Sequence, residues 1–269
     1  MTALPATYDI YHRRAVQKAL NEKTQVQPPL TIDGNFGNMS VSALRLYQMQ
    51  SDIPQSAVYD DATQALLEPF ISQKYVLYPA IQSAASILGV DAATVSAVTE
   101  TEASGAGFFP TGLCQIRFER HIMYQQLVKN KGQATANGLV NRYPSVVNPT
   151  PGGYATDPYT QLNLALTIDQ TSAMSATSWG MFQIMGFNFT TCGYSTVQGY
   201  VQDMKTNETL QLQAFIHFCK SYLGGTLWTA MKNKDWTTFA RIYNGTGAVA
   251  SYSQSMANNY TLFTGSLAG

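Results

Sequence analysis

Three glutamates in the stretch Val98–His121, VTETEASGAGFFPTGLCQIRFERH, are the residues best placed for acid–base chemistry. Glu100 and Glu102 stand where an apolar helical pattern ends, and Glu119 follows beyond a glycine-rich run. A carboxyl group at the end of an apolar helix face is partly removed from water, and desolvation raises its pKa. A carboxylic acid that keeps its proton near neutral pH can act as a general acid.

Helical periodicity distinguishes Glu102 from Glu100. At ~100° per residue, Glu100 lies about 160° around the helix from Glu102. Glu102 falls within roughly 60° of three core-facing residues, Val95, Val98 and Thr99. We therefore expect Glu102 to be the acid and Glu100 to tolerate substitution. The competing interpretation is that both are solvated residues at a helix end.

The run ETEASGAGF, followed by IRFERH, resembles the muramidase domain of modular phage endolysins within the lysozyme-like superfamily. In that family the glutamate of an E-S-G-G-x-G-F run is the catalytic acid, which corresponds to Glu102. The chain departs from the pattern at Ala103 and Ser104, where the family more often has Ser and Gly. Gly105 and Gly107 predict a turn directly after the acid, and the departure concerns this turn more than the acid.

A second motif, TSWGMFQIMGFNF, spans Thr177–Phe189 and contains a lone amide, Gln183, among apolar residues. A glutamine in such a run needs a hydrogen-bond partner if buried, or it faces a cavity. Gly180 permits close backbone approach. The motif resembles S-W-G-L-F-Q-I-M-G-F-N of the same muramidases and is similar to the G-L-x-Q-I run of lytic transglycosylases and goose-type lysozymes. The resemblance implies that Gln183 and Ser178 bind substrate.

Two further segments resemble cleft-bordering parts of that family. Tyr243-Asn244-Gly245 resembles its R-x-Y-N-G run, and the piece ending at Tyr154 loosely resembles Y-x-x-G-x-Y. The resemblance implies substrate contacts for Tyr243, Asn244 and Tyr154. The alternative for the first segment is a helix stop, with Gly245 as the terminating residue and a core tyrosine.

The second catalytic group is open at this point. Glu119 is the first candidate for stabilising an oxocarbenium-like state or orienting water. Its competing role is structural, since it could hold Arg117 or Arg120 or fix the helix that carries the acid. Asp157 and Asp169 are weaker candidates. Retaining and inverting glycosidases differ in the separation of two carboxylates, which a sequence does not give.

The first seventy residues predict three short helices around a D-G-x-F-G turn. They resemble the small peptidoglycan-binding domain of cell-wall hydrolases, whose motif is matched by Asp33, Gly34, Phe36, Gly37, Ser40, Ala43, Leu44, Tyr47 and Gln48. The resemblance implies that Asp33, Asn35 and Gln48 contact the cell wall, whereas the apolar members are core residues in any case. We place the domain boundary so that residues 1–71 form this domain and residues 72–269 the muramidase domain. On this division the first domain is separable from the chemistry.

Periodicity and capping residues predict a mostly α-helical protein. Helices are predicted over 8–21, from an N-cap at Ser40, and from a cap at Asp60 or Asp61 with Ala62, Ala65 and Leu66 buried. Two more helices are expected on either side of a break at residues 89–91, with Asp91 capping the second. Downstream helices are predicted over 117–129, 160–176, 195–204, 208–222, 227–232, 235–243 and 251–263, with an irregular stretch over 132–158.

The composition argues against several classes of protein. The chain has 269 residues, 45% hydrophobic, with 16 basic and 16 acidic residues, so it lacks the basic excess of nucleic-acid binders. Three cysteines at wide spacings fit neither a disulfide framework nor a zinc site, and we expect reduced thiols. Three scattered histidines argue against a zinc enzyme, and a nucleophilic pair of Cys114 with His121 has no supporting motif.

The resemblance implies a phage endolysin that hydrolyses the β-1,4 bond between N-acetylmuramic acid and N-acetylglucosamine, with peptidoglycan as partner. We expect a monomer with no metal or organic cofactor and no membrane insertion. Without a signal-like apolar segment, it is expected in the host cytoplasm until a holin-like factor releases it. The alternatives are a lytic transglycosylase, which needs no second carboxylate, and a non-catalytic wall-binding or virion structural protein.

Overall fold

The computed structural model describes residues 4, 8–103 and 106–266, so Ser104 and Gly105, where the sequence predicts a turn, lie outside the described residues. The described chain is mostly α-helical, as predicted. In order the helices are α1 (Ile10–Thr24), α2 (Asn38–Gln50), α3 (Asp61–Lys74), α4 (Tyr78–Leu88), α5 (Ala92–Ala103), α6 (Arg120–Lys131), α7 (Gln133–Arg142), α8 (Pro158–Ile168), α9 (Gln170–Ser175), α10 (Val197–Met204), α11 (Glu208–Ser221), α12 (Thr226–Asn233), α13 (Trp236–Asn244) and α14 (Val249–Ser266). The strands are β1 (Ile116–Phe118), β2 (Thr177–Trp179) and β3 (Ile184–Met185).

The N-terminal part is the predicted group of three helices, with two local corrections. α2 begins after Gly37, so Ser40 lies inside the helix and is buried rather than capping it. Asp60 caps α3 by accepting a hydrogen bond from the Thr63 amide. The buried face of α3 is Thr63, Leu67 and Ile71, not the predicted Ala62, Ala65 and Leu66. The buried face is rotated from the predicted one by about one residue, or ~100° around the helix, so that Ala62, Ala65 and Leu66 face solvent.

The predicted domain boundary falls within helix α3. α3 continues through Pro69 to Lys74, so Ser72 falls inside the helix and residues 75–77 form the connection. The buried apolar side chains of α1 to α3 join those of the larger part in one core. Tyr11 of α1, for example, stacks near Tyr78 and Phe263, with ring centroids 6.0 and 6.2 Å away. The N-terminal part is therefore packed against the second part rather than tethered to it.

Helix α5 lies at the centre of the larger part. α4 ends at Gly89, which adopts a left-handed conformation, and Asp91 accepts a hydrogen bond from the Thr94 amide at the start of α5. Val95 and Val98 are fully buried, and α14 packs along the helix. The predicted break and cap are confirmed, and α5 delivers Glu102 at its C-terminal end.

A small antiparallel sheet occupies the region of the second motif. β1 pairs with β2, placing Ile116 opposite Trp179, and β2 pairs with β3, placing Ser178 opposite Met185. Sequence periodicity predicts a helix from residue 117, but the helix begins only at Arg120. The strands are two or three residues long, too short for an alternation pattern to be recognised.

The stretch 132–158 is only partly irregular. α7 forms there although Ala136 is its single buried residue among those described, so it has no apolar face for periodicity to detect. The predicted helix over 160–176 is divided into α8 and α9 by Asp169, which accepts a hydrogen bond from the Ser172 amide. The later predicted helices are present as α10 to α14.

In the described part of the chain, no single helix is long and apolar enough to cross a membrane. Two consecutive segments, 61–88 and 92–102, are long and apolar enough only when taken together, and the chain bends by 111° between them. Cys114, Cys192 and Cys219 are free and buried.

Candidate active site

A cavity of about 410 Å³ opens at the C-terminal end of α5. Distant segments meet at its wall: α5 supplies Glu102, β1 supplies Arg117, the β2–β3 turn supplies Gln183, α11 supplies Phe218 and the end of α13 supplies Asn244. Among the described lining residues, Glu102 carries the only carboxyl group. Glu102 and Arg117 come from the first motif singled out in the sequence, and Gln183 comes from the second.

Glu102 is a partly buried carboxyl group with one neutral partner. The Asn244 side-chain amide donates a hydrogen bond of 2.9 Å to its Oε1, and Glu102 forms no ion pair with a cation of the described chain within 4.0 Å. Burial raises the pKa of Glu102 to about 7, opposed by the hydrogen bond from Asn244. Because the desolvation is not offset by a positive charge, this carboxyl group holds a proton near neutral pH.

Asn244 and Tyr243, both predicted to contact substrate, have different positions. Asn244 lines the cavity and orients Glu102. The Tyr243 hydroxyl donates a 2.7 Å hydrogen bond to the Phe182 carbonyl, and its ring stacks on Phe239 at 5.6 Å. Tyr243 therefore forms the wall of the cavity and fixes the turn that carries Gln183.

Gln183 lies at the exposed end of the β2–β3 turn with a φ of 48°. Its side-chain amide donates to the Gly180 carbonyl at 2.9 Å, and its Oε1 accepts from the Ser178 hydroxyl at 2.8 Å. Ser178 is buried, so its predicted contact with substrate is corrected: it holds Gln183 instead. Gln183 and Arg117 border both the Glu102 cavity and a second cavity of about 360 Å³. We call the two cavities together the cleft.

Glu119 does not line the cavity that contains Glu102. Its carboxyl group lies 3.2 Å from Arg117 Nε and accepts a 3.1 Å hydrogen bond from the Tyr154 hydroxyl. The Arg117 guanidinium lies 4.1 Å from the centre of the Tyr154 ring, and Tyr154 itself borders the second cavity. The first-choice role of Glu119 as second catalytic group is therefore corrected to its structural alternative, which is to fix Arg117 in the cleft.

The remaining acidic candidates also have structural partners. Asp157 accepts a hydrogen bond from the Tyr159 amide at the start of α8, and Asp169 caps α9 and pairs with Lys131 at 3.1 Å. Burial raises the pKa of the Cys114 thiol to about 12, so it is not a thiolate nucleophile at neutral pH.

The N-terminal part contains a separate cavity of about 390 Å³. Asp33 and Asn35, both predicted to contact the cell wall, border it. Gln48 is fully buried, and its side-chain amide donates to Val58 and Thr63 at 2.9 Å. The prediction that Gln48 contacts the wall is corrected, because its amide is part of the domain interior.

Two buried residues of α11, Glu208 and Gln211, hold the two motifs in place and were not predicted from the sequence. The Gln211 side chain accepts a 2.7 Å hydrogen bond from the Met181 amide and donates one of 2.7 Å to the Met204 carbonyl. A Cβ at Gly107 or at Gly180 would overlap it, so both motifs need glycine there. The available signal was two polar residues three apart on the apolar face of a helix.

Two family models match separate stretches of the chain. Residues 91–264 match the N-acetylmuramidase family, and residues 12–67 match a peptidoglycan binding domain family. The crystal structure of Burkholderia AP3 phage endolysin is similar with a TM-score of 0.65 and 33% sequence identity, over 94% of this chain and 95% of that one. No curated protein sequence matched the chain.

Proposed function

The chain belongs to the N-acetylmuramidase family, and from this premise we propose that it is a lysozyme whose general acid is Glu102. It is a peptidoglycan-hydrolysing glycosidase with the modular layout of a phage endolysin. The bond proposed for cleavage is the β-1,4 linkage between N-acetylmuramic acid and N-acetylglucosamine. Glu102 would donate its proton to the glycosidic oxygen as that bond breaks.

The observation that carries this proposal is the environment of the Glu102 carboxyl group. It opens onto a cavity, has a neutral amide as its partner, and has a pKa of about 7. General acid catalysis is most effective when the pKa of the acid lies near the working pH. An ordinary carboxyl group would be almost fully ionised at neutral pH and could not donate a proton.

Other cleft residues would bind the glycan and orient it against Glu102. Arg117 is held by Glu119 and Tyr154, and it offers guanidinium donors beside Gln183. Polar groups fixed by their own hydrogen bonds lose little freedom on binding, which favours orientation of an uncharged sugar. In the N-terminal part, the cavity bordered by Asp33 and Asn35 is proposed to take the cell-wall polymer.

Mass spectrometry of purified peptidoglycan after digestion tests the proposed bond and reaction. Hydrolysis at this bond leaves reducing muramic acid ends, whereas a lytic transglycosylase leaves the 1,6-anhydro product and a non-catalytic binder leaves intact glycan. We expect reducing muramic acid from the full chain and no release by Glu102→Gln. Anhydro ends, reducing glucosamine ends, or full activity of Glu102→Gln would each overturn the proposal.

A further inference from the structure

Two cations on α1 reach out of the peptidoglycan-binding part towards the muramidase part. Arg14 and Lys18 are four residues apart, so they lie one above the other on the same face of the helix. Lys18 Nζ donates to both carboxylate oxygens of Glu208, each at 2.8 Å. Arg14 pairs through two guanidinium nitrogens with both oxygens of Glu100.

Glu208 links the Lys18 cation to the chain beyond Glu102. Its Oε1 accepts a hydrogen bond of 2.9 Å from the amide of Gly107, and its Oε2 accepts one of 3.0 Å from the amide of Val76. Gly107 lies five residues after Glu102 in the sequence, and Glu100 lies two residues before it. The two cations of α1 therefore act on both flanks of the general acid.

The Lys18–Glu208 pair is isolated from water. The Lys18 side chain is 8% exposed and that of Glu208 is 0% exposed. A carboxylate buried to this extent depends on a cation and on directed hydrogen bonds, because an unpaired buried charge is strongly unfavourable. Lys18 and the Gly107 amide thus meet at the same Glu208 oxygen, Oε1, and hydrogen bonds between ionised partners are stronger than neutral ones.

We propose that α1 of the peptidoglycan-binding domain positions the general acid through Arg14 and Lys18, a role that rests on the proposed function of Glu102. Arg14 fixes the end of α5 through Glu100, and Lys18 fixes Gly107 through Glu208. The wall-binding domain is then part of the catalytic apparatus. The expectation that it is separable from the chemistry is replaced, as is the expectation that Glu100 is a neutral control.

The test compares full-length variants on short soluble glycan strands prepared from peptidoglycan, so that wall affinity does not enter. Lys18→Met removes the cation at nearly constant length, Lys18→Arg retains it, and Arg14→Gln breaks the other pair. Glu22→Gln is the matched control. Glu22 lies on the same helix and accepts hydrogen bonds from Lys74 and Tyr75 at 2.7 and 2.8 Å, but makes no hydrogen bond with Glu100, Gly107 or Glu208.

Misplacing a catalytic group by about 1 Å costs about 10²-fold, so we expect kcat of folded Lys18→Met to fall by about that factor with KM little changed. Arg14→Gln should lose about tenfold on the same reasoning, because the contacts of Lys18 and Gly107 with Glu208 remain in place. Lys18→Arg should recover most activity, and Glu22→Gln should resemble the parent. The high-pH limb of the rate profile should move to lower pH in Lys18→Met, since a displaced Glu102 gains water.

Folded Lys18→Met with the parent kcat and pH profile would overturn the proposal. If that variant does not fold, Arg14→Gln decides, because its half-buried pair can be broken without stranding a fully buried charge; an unchanged kcat there counts against the proposal. Glu102→Gln in the same assay distinguishes failure of the proposed function from failure of the positioning role. If it stays active, the proposed function fails; if it is inactive while both α1 variants keep the parent kcat, only the positioning role fails.

Discussion

Glu102 and Glu208 are two carboxyl groups removed from water to different extents, and their hydrogen-bond partners differ in charge. Glu208 is fully buried and receives a lysine cation and two backbone amides. Glu102 is less buried and receives one neutral amide beside an open cavity. Burial alone therefore does not set the role of a carboxyl group. The partners decide whether it holds the structure as an anion or keeps a proton for chemistry.

The largest expected effect is on activity. Glu102→Gln keeps the size of the side chain but removes the transferable proton, so cleavage of soluble glycan should fall by about 10²–10⁴-fold. Stability at pH 8 should not fall, because the variant no longer places an anion in a poorly hydrated position. Rates by reducing-end release and thermal melts check the two parts. A loss below tenfold would remove Glu102 from the mechanism.

Loss of Glu208 should lower stability as well as kcat, because this buried carboxyl group pairs with Lys18 and also holds the Gly107 amide. Glu208→Ala leaves Lys18 buried without its anion, and breaking a buried pair in this way costs roughly 3–5 kcal/mol. Chemical denaturation monitored by circular dichroism measures this loss. Lys234→Met, which breaks an exposed pair with Asp91, is the comparison and should cost roughly 0–1 kcal/mol. Equal losses in the two variants would contradict the assigned difference.

Asn244→Ala should raise the pKa of Glu102 and shift the pH profile of the activity. The Asn244 amide stabilises the ionised carboxylate, so its removal raises the pKa of Glu102 further above 7. Because the protonated form is active, the high-pH limb of kcat/KM should shift to higher pH. The rate below pH 6 should fall by about tenfold, a modest share of what positioning supplies. A downward shift of the limb would mean that Asn244 excludes water rather than donating to Glu102.

The smallest effect is expected at Gln183. Gln183→Leu removes the hydrogen bonds to Gly180 and from Ser178 at an exposed turn, costing about 1 kcal/mol of stability. Activity should fall severalfold through KM, since the amide borders both parts of the cleft. Melting curves and initial rates separate the two. A loss of activity explained by the unfolded fraction alone would make Gln183 a structural amide.

The residues that could be predicted from the sequence are those whose signal lies within one local segment. Periodicity and motif placed Glu102 at the end of an apolar helix and Gln183 in an apolar turn, because both signals lie within one local segment. The roles of Ser178 and Gln48 were missed because they depend on which side chains turn inward. The Lys18–Glu208 pair joins residues 190 positions apart, and no local pattern specifies such a contact.

Strand β1 and helix α7 were missed for a related reason. β1 has three residues, and α7 buries Ala136 alone among its described residues, so neither carries a periodic signal of useful length. Both are defined by neighbours distant in sequence, as in the pairing of Ile116 with Trp179.

Direct titration of the Glu102 carboxyl group tests the central claim. Carbon NMR of protein with isotope-labelled glutamate, assigned by comparison with Glu102→Gln, follows the carboxyl resonance of Glu102 from acid to alkaline pH. The expected midpoint is about 7, matching the pH at which activity falls as the acid loses its proton. A midpoint near 4.5, the ordinary value for this side chain, would contradict the assignment of Glu102 as the general acid.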